Sequence, residues 1–236
     1  MKILILAAHP DDEVLGMGGT IKKLSKKGND IKIIFMSTGI LSRRKIESKV
    51  SKQVFTKDWM EKNESKLKSL RGDAKRAGKI LGVDEIEFMD FPDNEMDTVS
   101  TLMVAKSIEK SIKDFKPKVI YTTPQNDVNV DHEKVFASTL VATRPHKNSI
   151  VQEVISYEIP SSTEWFFPSQ FNPNIFVDIS KEFVSKIKAI KAYKNEIREF
   201  PHPRSIEALE VITKRWGSVS GFNHAEAFKL VRTLIK

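Results

Sequence analysis

The sequence predicts an α/β domain with a parallel-core sheet and helices on both faces. Three observations point there. Short apolar runs rich in β-branched residues recur along the chain: KILILAA, IKIIFMS, EIEFMD, KVIYTT and EVISYEI, with NIFVDI after them. Between them lie stretches too long for hairpins that carry apolar residues at helical spacing, and such alternation builds parallel pairs through helical crossovers. Finally, 236 residues with 40% hydrophobic content can bury one sizeable core, so a single domain over residues 1–236 is expected.

The first run ends in AAHPDDE, residues 7 to 13, and the first crossover helix is expected from Gly16 to Lys27. After the second run, Gly39 to Met60 has weak periodicity and many charges, which predicts a long loop or lid beside the site. Further crossovers are expected over Glu61 to Leu81, Val99 to Phe115 and Asp131 to Thr143. After NIFVDI the pattern turns helical in Lys181 to Phe200, Arg204 to Arg215 and Ala225 to Ile235, broken by FPHPRS and by Gly217 to Asn223. No repeat, low-complexity tract or linker interrupts the chain.

Composition narrows the chemistry. The chain has no Cys, so disulfides, thiolate nucleophiles and sulfur-ligated metals are excluded; any metal must be held by imidazole nitrogen and carboxylate oxygen. There is no secretory n-region, h-region or cleavage site, and no apolar run of transmembrane length, so a cytoplasmic protein without membrane insertion is expected. The net charge of +8 is local: Arg43 to Lys79 holds 13 Lys/Arg and 5 Asp/Glu, which accounts for the whole excess. A charge run of this kind is ordinarily a wet helix face, so no nucleic-acid partner is expected.

AHPDDE crowds one imidazole and three carboxylates at a strand end, and such charges are costly to bury unless they are paired or bound to a metal. In open parallel sheets, ligands bind beyond the carboxyl ends of the strands, where strand order reverses. The GMGGT that follows has neither the dinucleotide glycine spacing nor a Walker lysine, which leaves a nucleotide fold as a weak alternative. A second cluster, NDVNVDHEKV, follows the strand KVIYTT. If the first and fourth strands are neighbours, His9, Asp12 and His132 converge as two nitrogens and one carboxylate with a coordination position left open. That is a catalytic zinc ligand set.

His9-Pro10-Asp11-Asp12-Glu13, Gly16 to Thr20 and Asp131-His132 resemble the signatures of the zinc-dependent N-acetylglucosaminyl deacetylases, the PIG-L or LmbE-like family. FMDFPDN, TRP, YEIPSSTEW and FPHPRS are also similar to segments of bacterial members. The resemblance implies a Rossmann-like fold and hydrolysis of an N-acetyl amide on a small amino-sugar substrate. It also implies Zn²⁺ or another divalent metal on His9, Asp12 and His132, with Asp11 as general base. Asp131 would orient an imidazole, and Glu13 would be a favourable acid at a helix start. For reading sugar hydroxyls, the family's positions fall on Arg71 and Asp93, while Arg204 in its Pro-fixed turn could clamp an anionic substituent. His146 and His224 have no motif around them. The family's His-x-x-His is here Asn129-Val130-Asp131-His132. An asparagine can donate an N–H to a developing oxyanion but cannot deliver a proton, so Asp11 would shuttle the proton in both steps. Nothing in the sequence decides for or against a homo-oligomer.

Overall fold

The computed structural model describes residues 1–40, 61–167 and 171–235. All but the first two residues of the expected lid, Gly39 to Met60, lie outside them. Among the described residues, seven strands form one sheet: β1 (Lys2–Ala7), β2 (Asp30–Ser37), β3 (Glu85–Phe91), β4 (Val119–Thr122), β5 (Glu153–Tyr157), β6 (Ile175–Asp178) and β7 (Ala225–Thr233). Their order is β3-β2-β1-β4-β5-β7-β6. The first five are parallel to one another, and β7 pairs antiparallel with both β5 and β6. β1 and β4 are therefore neighbours at the point where strand order reverses, with Ile3 opposite Val119 and Ile5 opposite Tyr121.

Among the described residues, six helices cover the sheet: α1 (Asp12–Lys26), α2 (Glu64–Leu81), α3 (Thr101–Phe115), α4 (Val130–Ala142), α5 (Phe183–Ile190) and α6 (Ile206–Ser220). Because strand side chains alternate, β1 serves two cores at once. Ile3 and Ile5 pack with Val14 of α1, Leu67 and Leu70 of α2, and Ile190 of α5. Leu4 and Leu6 pack on the other face with Val104 and Ile108 of α3 and Val135 of α4. A strand buried on both faces reads as a continuous apolar run, which is what MKILIL is.

Three sequence expectations need correction. The helix expected over Ala225 to Ile235 is instead strand β7 as far as Thr233: Ala, Glu, Lys and Leu favour a helix locally, but the slot between β5 and β6 demands backbone partners. Ala225 to Phe228 are buried on both faces there, so tertiary pairing overrides propensity. The helix expected from Lys181 to Phe200 stops at Ile190 and continues as turns. The first helix begins at Asp12, four residues earlier than Gly16.

That first helix is broken at Met17, whose φ of −145° and ψ of 22° leave the helical region. Glycines flank the break because neighbours press on it: a Cβ on Gly16 would sit 2.4 Å from the Glu158 carbonyl oxygen, and one on Gly19 2.8 Å from Ile179. The second half of α1 thus has its own N-terminus inside the protein, and Glu226 of β7 caps it. Its carboxylate accepts the N–H groups of Gly19 at 2.9 Å and Thr20 at 2.7 Å. Lys186 of α5 pairs with the same carboxylate at 2.6 Å and donates to the Leu15 carbonyl at 2.7 Å. Both charged side chains are only 2% exposed.

Removing one partner of a buried pair leaves the other charge unpaired, at a cost of about 3–5 kcal/mol. Glu226→Ala also orphans two helical N–H groups, so it should lower Tm by roughly 10 °C in a chain of this size. Glu226→Gln, which keeps one acceptor oxygen, should lose less. Chemical denaturation checks this, and an Ala variant within about 1 kcal/mol of wild type would mean that water reaches the pair.

Candidate metal centre

The chain leaves β1 through Ala8 and turns at His9-Pro10-Asp11 into α1. Asp11 sits at the helix N-cap with a φ of 120°, in the left-handed region that favours glycine. Local bonds hold it there. The His9 N–H donates to Asp12 Oδ2 at 2.7 Å, and the Asp11 N–H donates to Glu13 Oε2 at 3.1 Å. Strained backbone of this kind persists where the surroundings over-determine it, and such places concentrate at functional sites.

The loop after β4 supplies the second cluster. Asn129 caps α4, its Oδ1 accepting the Asp131 N–H at 2.9 Å, and places His132 in the first turn. Since β1 and β4 are adjacent, both loops emerge side by side. His9, Asp12 and His132 each turn one ligand atom into a common space, all within 4.8 Å of one another. Asp12 Oδ2 is 3.5 Å from His9 Nδ1 and 3.4 Å from His132 Nε2. Two ligands bound at about 2.05 Å to a tetrahedral zinc lie about 3.3 Å apart, so the spacing already suits the ion.

Hydrogen bonds around the cluster select the tautomers. His132 Nδ1 faces Asp127 Oδ1 at 3.1 Å and Ser162 Oγ at 3.2 Å, which places the proton on that nitrogen and turns the Nε2 lone pair inward. His9 Nε2 faces Asp131 Oδ2 at 2.9 Å and Asp93 Oδ1 at 3.1 Å, which leaves Nδ1 for the cluster. Two atoms that are fully buried, His132 Nε2 and Asp12 Oδ1, have no hydrogen-bond partner. Orphaned atoms of this kind on two converging ligands fit a metal ion. His9, Asp93 and Asp131 form a second acidic group, but its oxygens are engaged. Asp131 accepts the N–H of Asn94 at 2.6 Å and of Met96 at 3.0 Å, and Asp93 accepts Asn94 Nδ2 at 2.8 Å.

Electrostatics agree with a cation seat. Burial pulls the His132 imidazole down, but the nearby Asp12 carboxylate, with Asp127 on the other ring nitrogen, outweighs it and lifts it to about 9. Burial opposes His9 as well, and Asp12, Asp131 and Asp93 raise it well above its usual value. Burial would raise Asp12, yet the two imidazoles hold it well below the usual carboxylate range. With protons on the ring nitrogens these groups gather positive charge at the place where a divalent ion would supply it.

The other expected residues divide. Asp11 is buried beside the cluster, and Arg204 Nη1 lies 2.8 Å from its Oδ2, so the arginine expected to clamp an anionic substituent meets the protein's own carboxylate. Arg204 also donates through Nε to Ser161 Oγ at 2.6 Å. Asp93 faces His9 from a buried position. Arg71 has other partners, pairing with Asp90 and lying over the Phe88 ring at 5.1 Å. Asn129 Nδ2 donates to Asn94 Oδ1 at 3.0 Å, so its amide ties the two loops that flank Asp131. Glu13 is in the first turn as expected, and it is buried. Its Oε1 accepts the Tyr193 hydroxyl at 2.6 Å, and burial, aided by the Asp11 charge, pushes it up to about 8.

Sequence reasoning missed Asp127, which accepts the Ser162 hydroxyl at 3.0 Å and the Thr163 hydroxyl at 2.8 Å while orienting His132. Its signal was an acid five residues before a ligand histidine. Glu13–Tyr193 had no local signal, because its partners are 180 positions apart.

Comparison with known proteins agrees with this geometry. A diacetylchitobiose deacetylase of Thermococcus kodakarensis is 27% identical over 236 residues, 98% of this chain and 83% of the relative. The solved N,N'-diacetylchitobiose deacetylase of Pyrococcus horikoshii, in complex with an inhibitor, has a TM-score of 0.72 at 23% identity, over 98% of this chain and 84% of that one. GalB of Pseudomonas putida, a 4-carboxy-2-hydroxymuconate hydratase, has a TM-score of 0.73 at 18% identity, over 100% of this chain and 98% of that one. At such identities the two solved structures establish the shared fold, and the hydratase shows that this fold also carries other chemistry. The family model of the GlcNAc-PI de-N-acetylases matches residues 4–143, more than half of the chain and both loops of the cluster, and the chain therefore belongs to the PIG-L family.

Proposed function

We propose that this protein is a zinc-dependent N-deacetylase that hydrolyses the N-acetyl amide of an amino sugar or its conjugate. The observation that carries the reading is the convergence of His9 Nδ1, Asp12 Oδ2 and His132 Nε2, with His132 Nε2 and Asp12 Oδ1 buried and without a hydrogen-bond partner. A divalent ion on these three residues would supply Lewis acidity, polarising the acetyl carbonyl and making water acidic enough to attack near neutral pH. The protein's own residues do the rest. Asp11 takes the proton of the attacking water, and Arg204 pairs with its Oδ2. Asp127 and Asp131 keep the imidazoles in the tautomers that ligation needs. Asp11 then returns its proton to the departing amine, since Asn129 cannot; Asn129 caps α4 and steadies Asp131 beside His9. Water adds to the amide carbon, the C–N bond breaks, and acetate and a free amine leave.

The substrate is a small molecule. Among the described residues no helix is long and apolar enough to cross a membrane, and the chain's composition fits a cytoplasmic enzyme. A second reading rests on Asn129, which stands where the family resemblance expects histidine. The same metal chemistry would then serve a non-sugar amide, or the site would bind a sugar or anion without turnover. An acetate-release screen over N-acetylglucosamine and its conjugates, with added zinc, tests the proposal. Acetate from at least one sugar supports it, and metal-loaded protein silent on all of them would favour the second reading.

A further inference from the structure

Asp11 stands at the N-cap of α1, the position whose side chain ordinarily accepts a helical N–H, yet its side chain makes no capping hydrogen bond. Glu13 closes the turn instead. From the first turn it reaches back, and its Oε2 accepts the Asp11 N–H at 3.1 Å, which is one half of a capping box without the other. The Asp11 carboxylate is left to pair with Arg204. The price is strain, because the φ of 120° is one that residues other than glycine rarely adopt, and it persists only where the surroundings over-determine it.

Those surroundings come from one distant turn. Tyr193, fully buried just after α5, donates its hydroxyl to Glu13 Oε1 at 2.6 Å, so the carboxylate that grips the Asp11 N–H is itself gripped. Three residues on, the Glu196 N–H donates to the Tyr193 carbonyl at 3.1 Å, and Glu196 Oε2 lies 3.4 Å from Arg204 Nη1. The turn over 193–196 thus reaches Asp11 twice, at the peptide through Glu13 and at the carboxylate through Arg204. A buried tyrosine needs some partner for its hydroxyl, and a backbone carbonyl would serve for stability alone; here the partner is the residue that sets the Asp11 peptide.

We propose that Tyr193 is a positioning residue for Asp11: through Glu13, its hydroxyl keeps the Asp11 peptide left-handed and so fixes where the carboxylate stands. The device itself is conformational, and its consequence for turnover rests on the deacetylase reading. Without the hydroxyl, Glu13 loses its anchor and the Asp11 peptide can relax toward an ordinary negative φ, which swings the side chain. A displacement of about 1 Å at a reacting group can cost on the order of 10²-fold in rate.

Tyr193→Phe removes one hydroxyl and leaves the ring in the core. In the zinc-loaded full chain it should speed hydrogen exchange of the Asp11 amide, read by NMR, by about tenfold or more, while the β1 amides of Ile5 and Leu6 keep their wild-type rates. On a sugar that releases acetate, kcat should fall about tenfold, with KM within about twofold and metal content unchanged. The same substitution in an Asp11→Asn chain should cost less than about twofold further, because a device that acts through the Asp11 carboxylate has nothing left to position. Glu13→Ala, which removes the acceptor itself, is the second variant and should speed the Asp11 amide at least as much. An Asp11 amide at its wild-type rate in either variant, or exchange that rises equally in β1, would overturn the device. So would a kcat loss that persists in full in the Asp11→Asn chain. If the Asp11 amide alone is freed and yet no sugar yields acetate from the wild type, the positioning stands and the deacetylase reading falls.

Discussion

His132→Ala is expected to strip the metal and reduce acetate release by on the order of 10⁴-fold or more. Three protein ligands leave no redundancy, and the acidity that a metal confers on water spans roughly nine pKa units in related chemistry. His9→Ala and Asp12→Ala should do the same, so elemental analysis should fall from about one divalent ion per chain to near zero in each variant. Proton competition gives an independent readout on the wild type. His132 is lifted to about 9 and His9 is also raised, so both imidazoles carry protons at neutral pH without metal, and the ion must displace them. Apparent metal affinity should therefore rise with pH up to about 9, by about tenfold per unit for each proton displaced, and weaken as pH falls. Full metal occupancy in all three variants, or an affinity flat between pH 6 and 9, would refute the site.

Asp11→Asn should keep the metal and lose turnover by about 10²–10⁴-fold, the usual range for a lost general base. The substitution is unusually clean here. Asparagine is among the few residues other than glycine that tolerate a positive φ, so the backbone at 120° can remain, and an amide oxygen can still accept from Arg204. What disappears is basicity. Metal analysis on the same preparation guards against an indirect loss, and a variant that turned over like wild type would assign the proton to another group.

The parts of this protein that were legible in its sequence are those written locally. HPDD and DH are contiguous motifs at strand ends, and the strand-helix rhythm of residues 1–38 and 61–143 follows from hydrophobic period. The neighbouring of β1 and β4 was needed to join them, and it holds. What stayed hidden lives in long-range contacts. Arg204 lies 193 positions from the Asp11 it pairs with, so nothing local in its turn announces that contact. Asn129 carried no sign that its amide would bridge Asp131 and Asn94, since that bridge exists only after two loops have met. β7 was misread because its residues favour a helix and only the gap between two other strands makes it extended.

The carboxylate at the break in α1 also sets a timetable for biosynthesis. Its N–H partners on Gly19 and Thr20 leave the ribosome 207 and 206 residues ahead of Glu226. Until β7 is inserted, the second half of the first helix has no cap, and Lys186 has neither its counter-ion nor a settled hold on Leu15, two residues beyond Glu13. The cap on the first helix is thus a contact that only a strand synthesised much later can make, and such long-range pairings close slowly.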